Sequence, residues 1–329
     1  MLVVTSLGGN ALLRRGEPMT AETQRANVRR AVAAIAEVIA AGHQVVISHG
    51  NGPQIGLLAL QTAAYRRSEG DPLDLLGAET EGAIGYMIEQ ELENILPKGR
   101  PVAALLTQVE VDPRDPAFGD PTKPIGPLYD KAEAETLAAQ RGWVVKPDGN
   151  KYRRVVASPR PRRIADIGVI RILVEHGVIV ICAGGGGIPV VRGAGGGLVG
   201  IEAVIDKDWA SALLARELGA EALLLLTDVK AVFDGWGSAH PRPFRRTSPQ
   251  ELRRHSFAEG SMRPKVEAAC EFVETTGGRA GIGRLSDALA ILNGEAGTWI
   301  TPDGDRGQQL AKNSRQSFRG APKARSRNP

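Results

Sequence analysis

The sequence predicts an α/β fold built around a mainly parallel sheet. Short apolar runs alternate with segments of helical spacing along most of the chain, which is the trace that successive βαβ units leave. The apolar runs also end in glycine-rich or polar turns: Gly8-Gly9-Asn10, Gly50-Asn51-Gly52, residues 184–187 and Thr227-Asp228. Ligands of open α/β sheets bind at the carboxyl ends of strands. Four such turns in one chain argue for a shared site.

Residues 2–7 read as a buried strand. From Gln24 onward, Val28, Val32, Ile35 and Ile39 keep helical spacing, with Arg25, Arg29 and Arg30 on the opposite face. Gly42 stops that helix, and residues 45–48 form the next strand, followed by Pro53 at a helix start. Residues 77–96 read as a helix and 102–109 as a strand. Residues 110–129 hold five prolines, which rules out a helix or a central strand. A stiff lid or insertion is expected there, with residues 143–146 and 152–157 as a β-hairpin in the same excursion. The alternation resumes with a helix over 164–176 and a strand over 178–182. A helix over 208–218 follows, with Asp208 able to cap it, then an apolar strand over 222–226. Ser248-Pro249-Gln250-Glu251 has capping-box spacing. A helix over 265–275 and strands over 279–282 and 298–300 close the fold.

The 329 residues suffice for one large domain or two lobes, and 42% hydrophobic with 24% charged residues is ordinary for a soluble protein. No apolar run approaches the ~20 residues of a membrane span, and no signal peptide is read at the N-terminus. Cys182 and Cys270 lie in apolar segments and are expected to be buried thiols of a reducing, cytoplasmic compartment. The net charge of +4 belongs to the tail. Residues 311–329 carry six basic and no acidic side chains, which leaves 35 basic against 37 acidic in the rest. The region from 303 to 329 is expected to be a disordered basic tail. The body has no charge signature of a nucleic-acid binder.

Glycine lets backbone N–H groups approach a ligand closely, and phosphate oxygens profit most from that approach. The segment 181–208 passes Gly184, Gly185, Gly186 and Gly187 and ends in Asp206-Lys207-Asp208, so phosphoryl transfer is the chemistry to test. Gly50 to Gly56 offers only a loosened dinucleotide fingerprint with a proline inside the turn. The chain lacks GxxxxGK[ST] and the HRD and DFG triplets of protein kinases. It also lacks zinc-type ligand spacing and a GxSxG. Phosphoryl transfer needs cations at the transferring group. Three lysines have unusual settings: Lys123 in the proline-rich segment, Lys207 between two aspartates, and Lys265 after Pro264 at a helix start. Asp208 is the candidate for orienting Lys207 and Lys265.

The chain resembles the carbamate kinases, which have the amino-acid-kinase fold. The resemblance rests on SLGGNAL (6–12), SHGNGPQIG (48–56), GAETEGAIGYMI (77–88), DPTKPIGP (120–127), RRVVASPRP (153–161), CAGGGGIPVV (182–191), GIEAVIDKDWASALLA (200–215), LLTDVKAV (225–232) and GSMRPKVEAA (260–269), and it spans roughly residues 2–301. It implies a three-layer αβα sandwich with a small protruding β-rich subdomain at about 110–160. An N-terminal lobe (1–215) would bind carbamate or carbamoyl phosphate, and a C-terminal lobe (216–302) the nucleotide. The implied reaction is reversible phosphoryl transfer between ATP and carbamate, with Mg²⁺ and commonly in the direction of ATP formation. The supply of carbamoyl phosphate could be arginine or purine breakdown or another donor.

The resemblance also assigns roles. Gly8, Gly9, Asn10, Asn51 and Gly52 would hold the carbamoyl group, and Gly184, Gly185 and Gly186 would line the transfer site. Lys123 would descend from the subdomain as a mobile cation. Lys207 and Lys265 would neutralise the transferring group, oriented by Asp208. Thr227, Asp228, Met262 and Pro264 would border the nucleotide, and the enzyme would be a homodimer. Two readings compete with it: another small-molecule kinase of the same fold, and a ligand sensor that has lost catalysis. Gly281 departs from the family pattern, which leads one to expect a bulkier apolar residue there. The glycine-rich 193–197 loop and the basic tail depart from it as well.

Overall fold

The computed structural model describes residues 1–9, 12–14, 16–65, 71–238, 240–259 and 261–304. Asn10 and the tail beyond residue 304 lie outside the described residues. The chain begins with β1 (Leu2–Leu7), α1 (Ala21–Ala40), β2 (Gln44–His49), α2 (Gly52–Tyr65), α3 (Leu73–Ile95), β3 (Val102–Ala104) and β4 (Gln108–Val111). It continues through β5 (Lys123–Tyr129), α4 (Lys131–Arg141), β6 (Val144–Asp148), β7 (Lys151–Val156), β8 (Pro161–Ile164), α5 (Ile167–Glu175), β9 (Ile179–Ile181), β10 (Ile188–Arg192) and β11 (Leu198–Gly200). The last part holds α6 (Lys207–Leu218), β12 (Ala222–Thr227), β13 (Phe233–Asp234), β14 (Arg242–Pro243), β15 (Arg246–Thr247) and α7 (Pro249–Leu252). It ends with α8 (Met262–Thr276), β16 (Arg279–Arg284), α9 (Ala288–Leu292) and β17 (Thr298–Ile300).

The central sheet runs β15-β17-β16-β12-β1-β2-β9-β3. Its pairs are parallel except β16 with β17. Strands covered on both faces read as continuous apolar runs whose side chains alternate between two cores. Val3, Leu7, Ile47 and Leu224 pack with Val32, Ile35, Ile88 and Ile291 from α1, α3 and α9. Val4, Val46, Leu223 and Leu225 pack with Ile170, Leu214, Val266 and Phe272 from α5, α6 and α8. This is the expected three-layer sandwich. Burying each large side chain contributes roughly 1.5–3 kcal/mol relative to exposure.

Several boundaries differ from the expectations, each for a local reason. The strand expected over 102–109 divides: β3 stays in the central sheet, whereas β4 joins a second sheet of order β11-β10-β4-β8. Between them, Leu105 N–H still donates to the Ile181 carbonyl, but Thr107 N–H turns to the Glu81 carboxylate. The helix expected over 164–176 begins later, because Ile164 ends β8 and the Asp166 carboxylate accepts from Gln108 N–H before α5 starts. Helix α3 starts earlier than expected, just after Pro72. Gly281 sits where an added Cβ would lie 2.5 Å from Ile291 and 2.8 Å from the Trp299 ring. The bulk expected there is supplied by its neighbours.

The proline-rich segment yields β5, which pairs only with β7 in a sheet of order β5-β7-β6. An edge strand tolerates Pro124 and Pro127 because one side of it needs no donors. Strands β6 and β7 form the expected hairpin, and α4, which the sequence reading had passed over, lies between β5 and β6. Ile125 and Val156 of this unit pack with Ile55 and Ala59 of α2. The approach is so close that a Cβ on Gly56 would lie 2.0 Å from Gly126 Cα. The 193–197 loop is a closed hairpin turn, with Gly193 N–H bonded to Gly197 O at 2.9 Å.

Candidate functional site

A cleft of about 1370 Å³ opens at the carboxyl ends of β1 and β12 and the N-terminal ends of α6 and α8. The turn after β1 can bend into it because Gly8 has no Cβ; one there would lie 2.9 Å from the Leu226 carbonyl oxygen. Gly8, Gly9, Thr227, Asp228, Met262 and Pro264 all line this cleft, as do Lys123, Lys207, Asp208 and Lys265. Residues from β1, β5, α6, β12 and α8 thus meet at one place.

The ion pairs at the base of the cleft explain how three lysines share it. Asp208, 3% exposed, accepts from Lys207 Nζ through one oxygen and from Lys265 Nζ through the other at 2.8 Å. Lys123 Nζ donates to Asp206. Sequence reasoning passed over Asp206 and gave its structural role to Asp208. It is Asp206 that caps α6, accepting from Asp208 N–H at 2.9 Å, which leaves the Asp208 side chain free to face the lysines. The signal was present in Asp206-Lys207-Asp208, where only one aspartate could be the cap.

The charges respond to this enclosure. Burial pushes the Asp208 carboxyl up, but Lys207 and Lys265 outweigh it and hold the group well below the usual carboxylate range. Burial, with Lys265 adding to it, pulls Lys207 down to about 8. Lys265 moves the other way: burial lowers it, but Asp208 and Asp206 lift it above its ordinary value. Asp206 is raised by burial, yet lowered overall by Lys123 and Lys207. Five basic side chains line the cleft (Lys123, Lys207 and Lys265 with Arg14 and Arg153) against four acidic ones (Asp206 and Asp208 with Glu17 and Asp228), a small positive surplus. Such a site favours a multiply charged anion.

Other expected residues occupy the layer behind the cleft. Gly184, Gly185 and Gly186 are buried. Ala183, Gly185, Gly186 and Gly187 have positive φ. A Cβ on Gly185 would lie 2.2 Å from the Asn51 amide, and one on Gly186 would lie 2.4 Å from the Ile205 carbonyl oxygen. The N–H groups of Gly184, Gly186 and Gly187 are already spent on Glu81, Ala183 and Gly184. The run is therefore a packed turn that seats Asn51 and the chain leading to Asp206. Asn51 is buried and donates to Thr80 Oγ1 at 2.8 Å, while Gly52 opens α2. Beneath lies Glu81, 2% exposed, which accepts from Gly184 N–H at 2.7 Å and Thr107 N–H at 3.2 Å. Burial still pushes its carboxyl up to about 8. His49, fully enclosed beside Gly184, is pulled down to about 4 by burial and is neutral.

The far end of the cleft is apolar. Met262 and Phe257 line it together with Phe233 and Trp236, whose rings meet at 5.4 Å. Trp236 is 66% exposed, so its ring offers a surface on which a planar group could stack. The sequence signal for it was the isolated tryptophan between Gly235 and Gly237. Among the described residues no group of three or more His, Cys, Asp or Glu side chains could hold a metal. Cys182 and Cys270 are free and buried, as expected. No helix among the described residues is long and apolar enough to cross a membrane.

Comparison with known proteins agrees with this geometry. A sequence model of the amino acid kinase family matches residues 1–282. A carbamate kinase from Rhizobium meliloti (strain 1021) is 59% identical over 303 residues, covering 92% of this chain and 93% of its own length. One from Haemophilus influenzae is 56% identical, covering 92% and 97%. The solved structure of a carbamate kinase from Giardia lamblia bound to AMP-PNP superposes with a TM-score of 0.82 at 41% identity, covering 92% of this chain and 98% of that one. The chain belongs to the amino acid kinase family and, within it, to the carbamate kinases.

Proposed function

We propose that the protein catalyses reversible phosphoryl transfer between ATP and carbamate, giving ADP and carbamoyl phosphate, and that it is used to make ATP. The observation that carries this reading is the Lys207–Asp208–Lys265 cluster in the same cleft as the Lys123–Asp206 pair. In the ATP-forming direction an oxygen of the ADP β-phosphate attacks the phosphorus of carbamoyl phosphate. The P–O bond to the carbamoyl group breaks, and carbamate leaves with that electron pair. Carbamate leaves as an anion that needs no proton, so no protein base is required and catalysis consists of positioning and charge neutralisation. Lys207 and Lys265 meet the charge on the equatorial oxygens, and Asp208 holds both ammonium groups in place. Lys123 closes over the same group from β5. Gly8 and Gly9 meet the carbamoyl end, the role that the resemblance also gives Asn10, while buried Asn51, Gly52 and the run at Gly184, Gly185 and Gly186 support them from behind.

Thr227, Asp228, Met262 and Pro264 border the nucleotide, whose base reaches the Phe233–Trp236 wall. The division into a carbamoyl lobe (1–215) with a lid at about 110–160 and a nucleotide lobe (216–302) follows from these roles. The residues fit a Mg²⁺ ion carried on the nucleotide phosphates, with few protein ligands, since Asp206 and Asp208 already hold lysines. The ion would neutralise charge between the phosphates. A second copy of the chain would cover the outer face of α3, where Leu75 and Tyr86 are exposed and Leu106 lies against Gly82. A cytoplasmic location suits two free thiols.

The test is to mix the protein with Mg²⁺, ADP and carbamoyl phosphate and to measure ATP. Formation far above a Lys207→Ala control is expected. No ATP above that control would leave a rival kinase of the fold or a silent sensor.

A further inference from the structure

A second cavity, of about 250 Å³, lies against the outer face of α6. Helical spacing puts Trp209, Leu213 and Arg216 on that face, roughly opposite Lys207 and Ser211. The opposite wall is Arg160-Pro161-Arg162 at the start of β8, and Glu271 of α8 closes one side. Three guanidinium groups therefore surround a hollow that contains a single carboxylate.

That carboxylate does not satisfy them. Glu271 stands 3.6 Å from Arg160 Nη1 and 4.0 Å from Arg216 Nη1, both beyond hydrogen-bond length. Arg162 has Asp112 at 3.9 Å, equally loose. The Arg160 guanidinium carbon lies over the Trp209 ring, a cation–π contact. Burial lowers the pKa of Arg160, against the opposing pull of Glu271, Glu267, Asp115 and Asp206. The Asp115 carboxylate accepts the backbone N–H of Arg160 at 3.0 Å.

We propose that this cavity is a second anion site, built for a phosphate dianion, free or as the end of a phosphomonoester. Planar guanidinium forks match the oxygens of phosphate two at a time. The volume holds several waters or one such group but falls below pockets that enclose drug-sized ligands. The site is separate from the cleft and does not depend on the chemistry assigned there. Trp209 follows Asp208 directly, so the two sites share the first turn of α6.

Trp209 makes the site observable. The full-length protein is titrated with inorganic phosphate, and separately with a sugar phosphomonoester, at constant ionic strength in chloride while tryptophan emission is followed. A saturable change is expected that disappears in Trp209→Phe. Its midpoint should move at least about 10-fold higher in Arg216→Gln, the loss of one charge-assisted contact. Arg162→Gln, on an exposed stretch of β8, should act in the same direction, and the thermal midpoint of each variant shows that it is folded. A response to phosphate alone identifies the free ion; a response to both identifies the monoester end. The proposal is overturned if emission shows no saturable change, if the signal survives in Trp209→Phe and so arises in the cleft, or if both arginine variants titrate like the wild type.

Discussion

Lys265 Nζ lies 2.8 Å from Asp208 Oδ2, although the two residues are 57 positions apart. The other oxygen of the same carboxylate is taken by Lys207, so one buried anion fixes two buried cations from different helices. Removing one member of such a cluster leaves the others uncompensated, at a cost of roughly 3–5 kcal/mol. Asp208→Asn preserves the volume but leaves Lys207 and Lys265 facing each other. ATP formation should fall at least about 100-fold, and thermal unfolding should begin several degrees earlier. Turnover within about threefold of wild type would show that Asp208 does not organise the lysines.

The contact between Gly56 of α2 and Gly126 of β5 sets how closely the strand carrying Lys123 approaches the cleft. Gly56→Ala would drive a methyl group into the backbone of Gly126, 2.0 Å from its Cα. The strand must shift outward and take Lys123 with it. Turnover should drop by about 10-fold or more, comparable to Lys123→Ala, while nucleotide affinity in both variants stays within about twofold. Steady-state kinetics with a separate nucleotide titration checks this. If Gly56→Ala is as fast as wild type, the approach of β5 does not govern transfer.

Lys207 titrates near 8 because burial and Lys265 disfavour its charge. As pH rises through that value in the free protein, the ammonium is lost, and with it the neutralisation of the phosphoryl group. The kcat/KM profile should therefore fall above about pH 8. A bound phosphate raises the pKa of the lysine, so the limb in kcat should lie higher. Lys207→Arg keeps its charge and should move the alkaline limb upward even if its rate is lower. An identical limb in that variant would assign the titration to another group.

Glu81 gives a stability signature with a definite sign. Its carboxyl is raised by burial to about 8 in the fold, against about 4.5 unfolded. The folded state therefore binds the extra proton across that window, and stability falls as pH rises toward 8. His49, lowered to about 4, acts oppositely, but only between about 4 and 6.5, where it is neutral in the fold and protonated in the unfolded chain. Above pH 6.5 His49 no longer offsets Glu81, and close to pH 8 the lowered Lys207 begins to oppose it, so the comparison is made against wild type. Glu81→Gln keeps an acceptor for Gly184 N–H and cannot titrate, so its thermal midpoint should be flatter across that interval than that of wild type. Parallel slopes for the two proteins would refute the assignment.

The site was legible in the sequence to the extent that chemistry survives without distance. Lys123, Lys207 and Lys265 stood out by their neighbours, and the structure gathers all three at one cleft. Asp206 was missed because capping and charge pairing are alternatives for an aspartate until the helix start is known. The glycine run looked like a phosphate cradle, since a string of glycines announces unusual backbone but not which side its N–H groups face. In the fold those of Gly184, Gly186 and Gly187 are consumed internally. The strand expected over 102–109 could not be divided from sequence, because the Glu81 carboxylate that diverts Thr107 comes from another helix.

By itself the sequence determined the layered α/β fold, because alternating burial on two sheet faces is written in the apolar pattern and its punctuation by glycine and proline. It also determined the family, through motifs that keep their residue types at fixed spacing. Only the tertiary structure decided which charges meet, which glycines are floor and which are lining, and that Arg160, Arg162 and Arg216 line a second hollow. These are properties of distance between residues remote in the chain, and a linear pattern carries no distance.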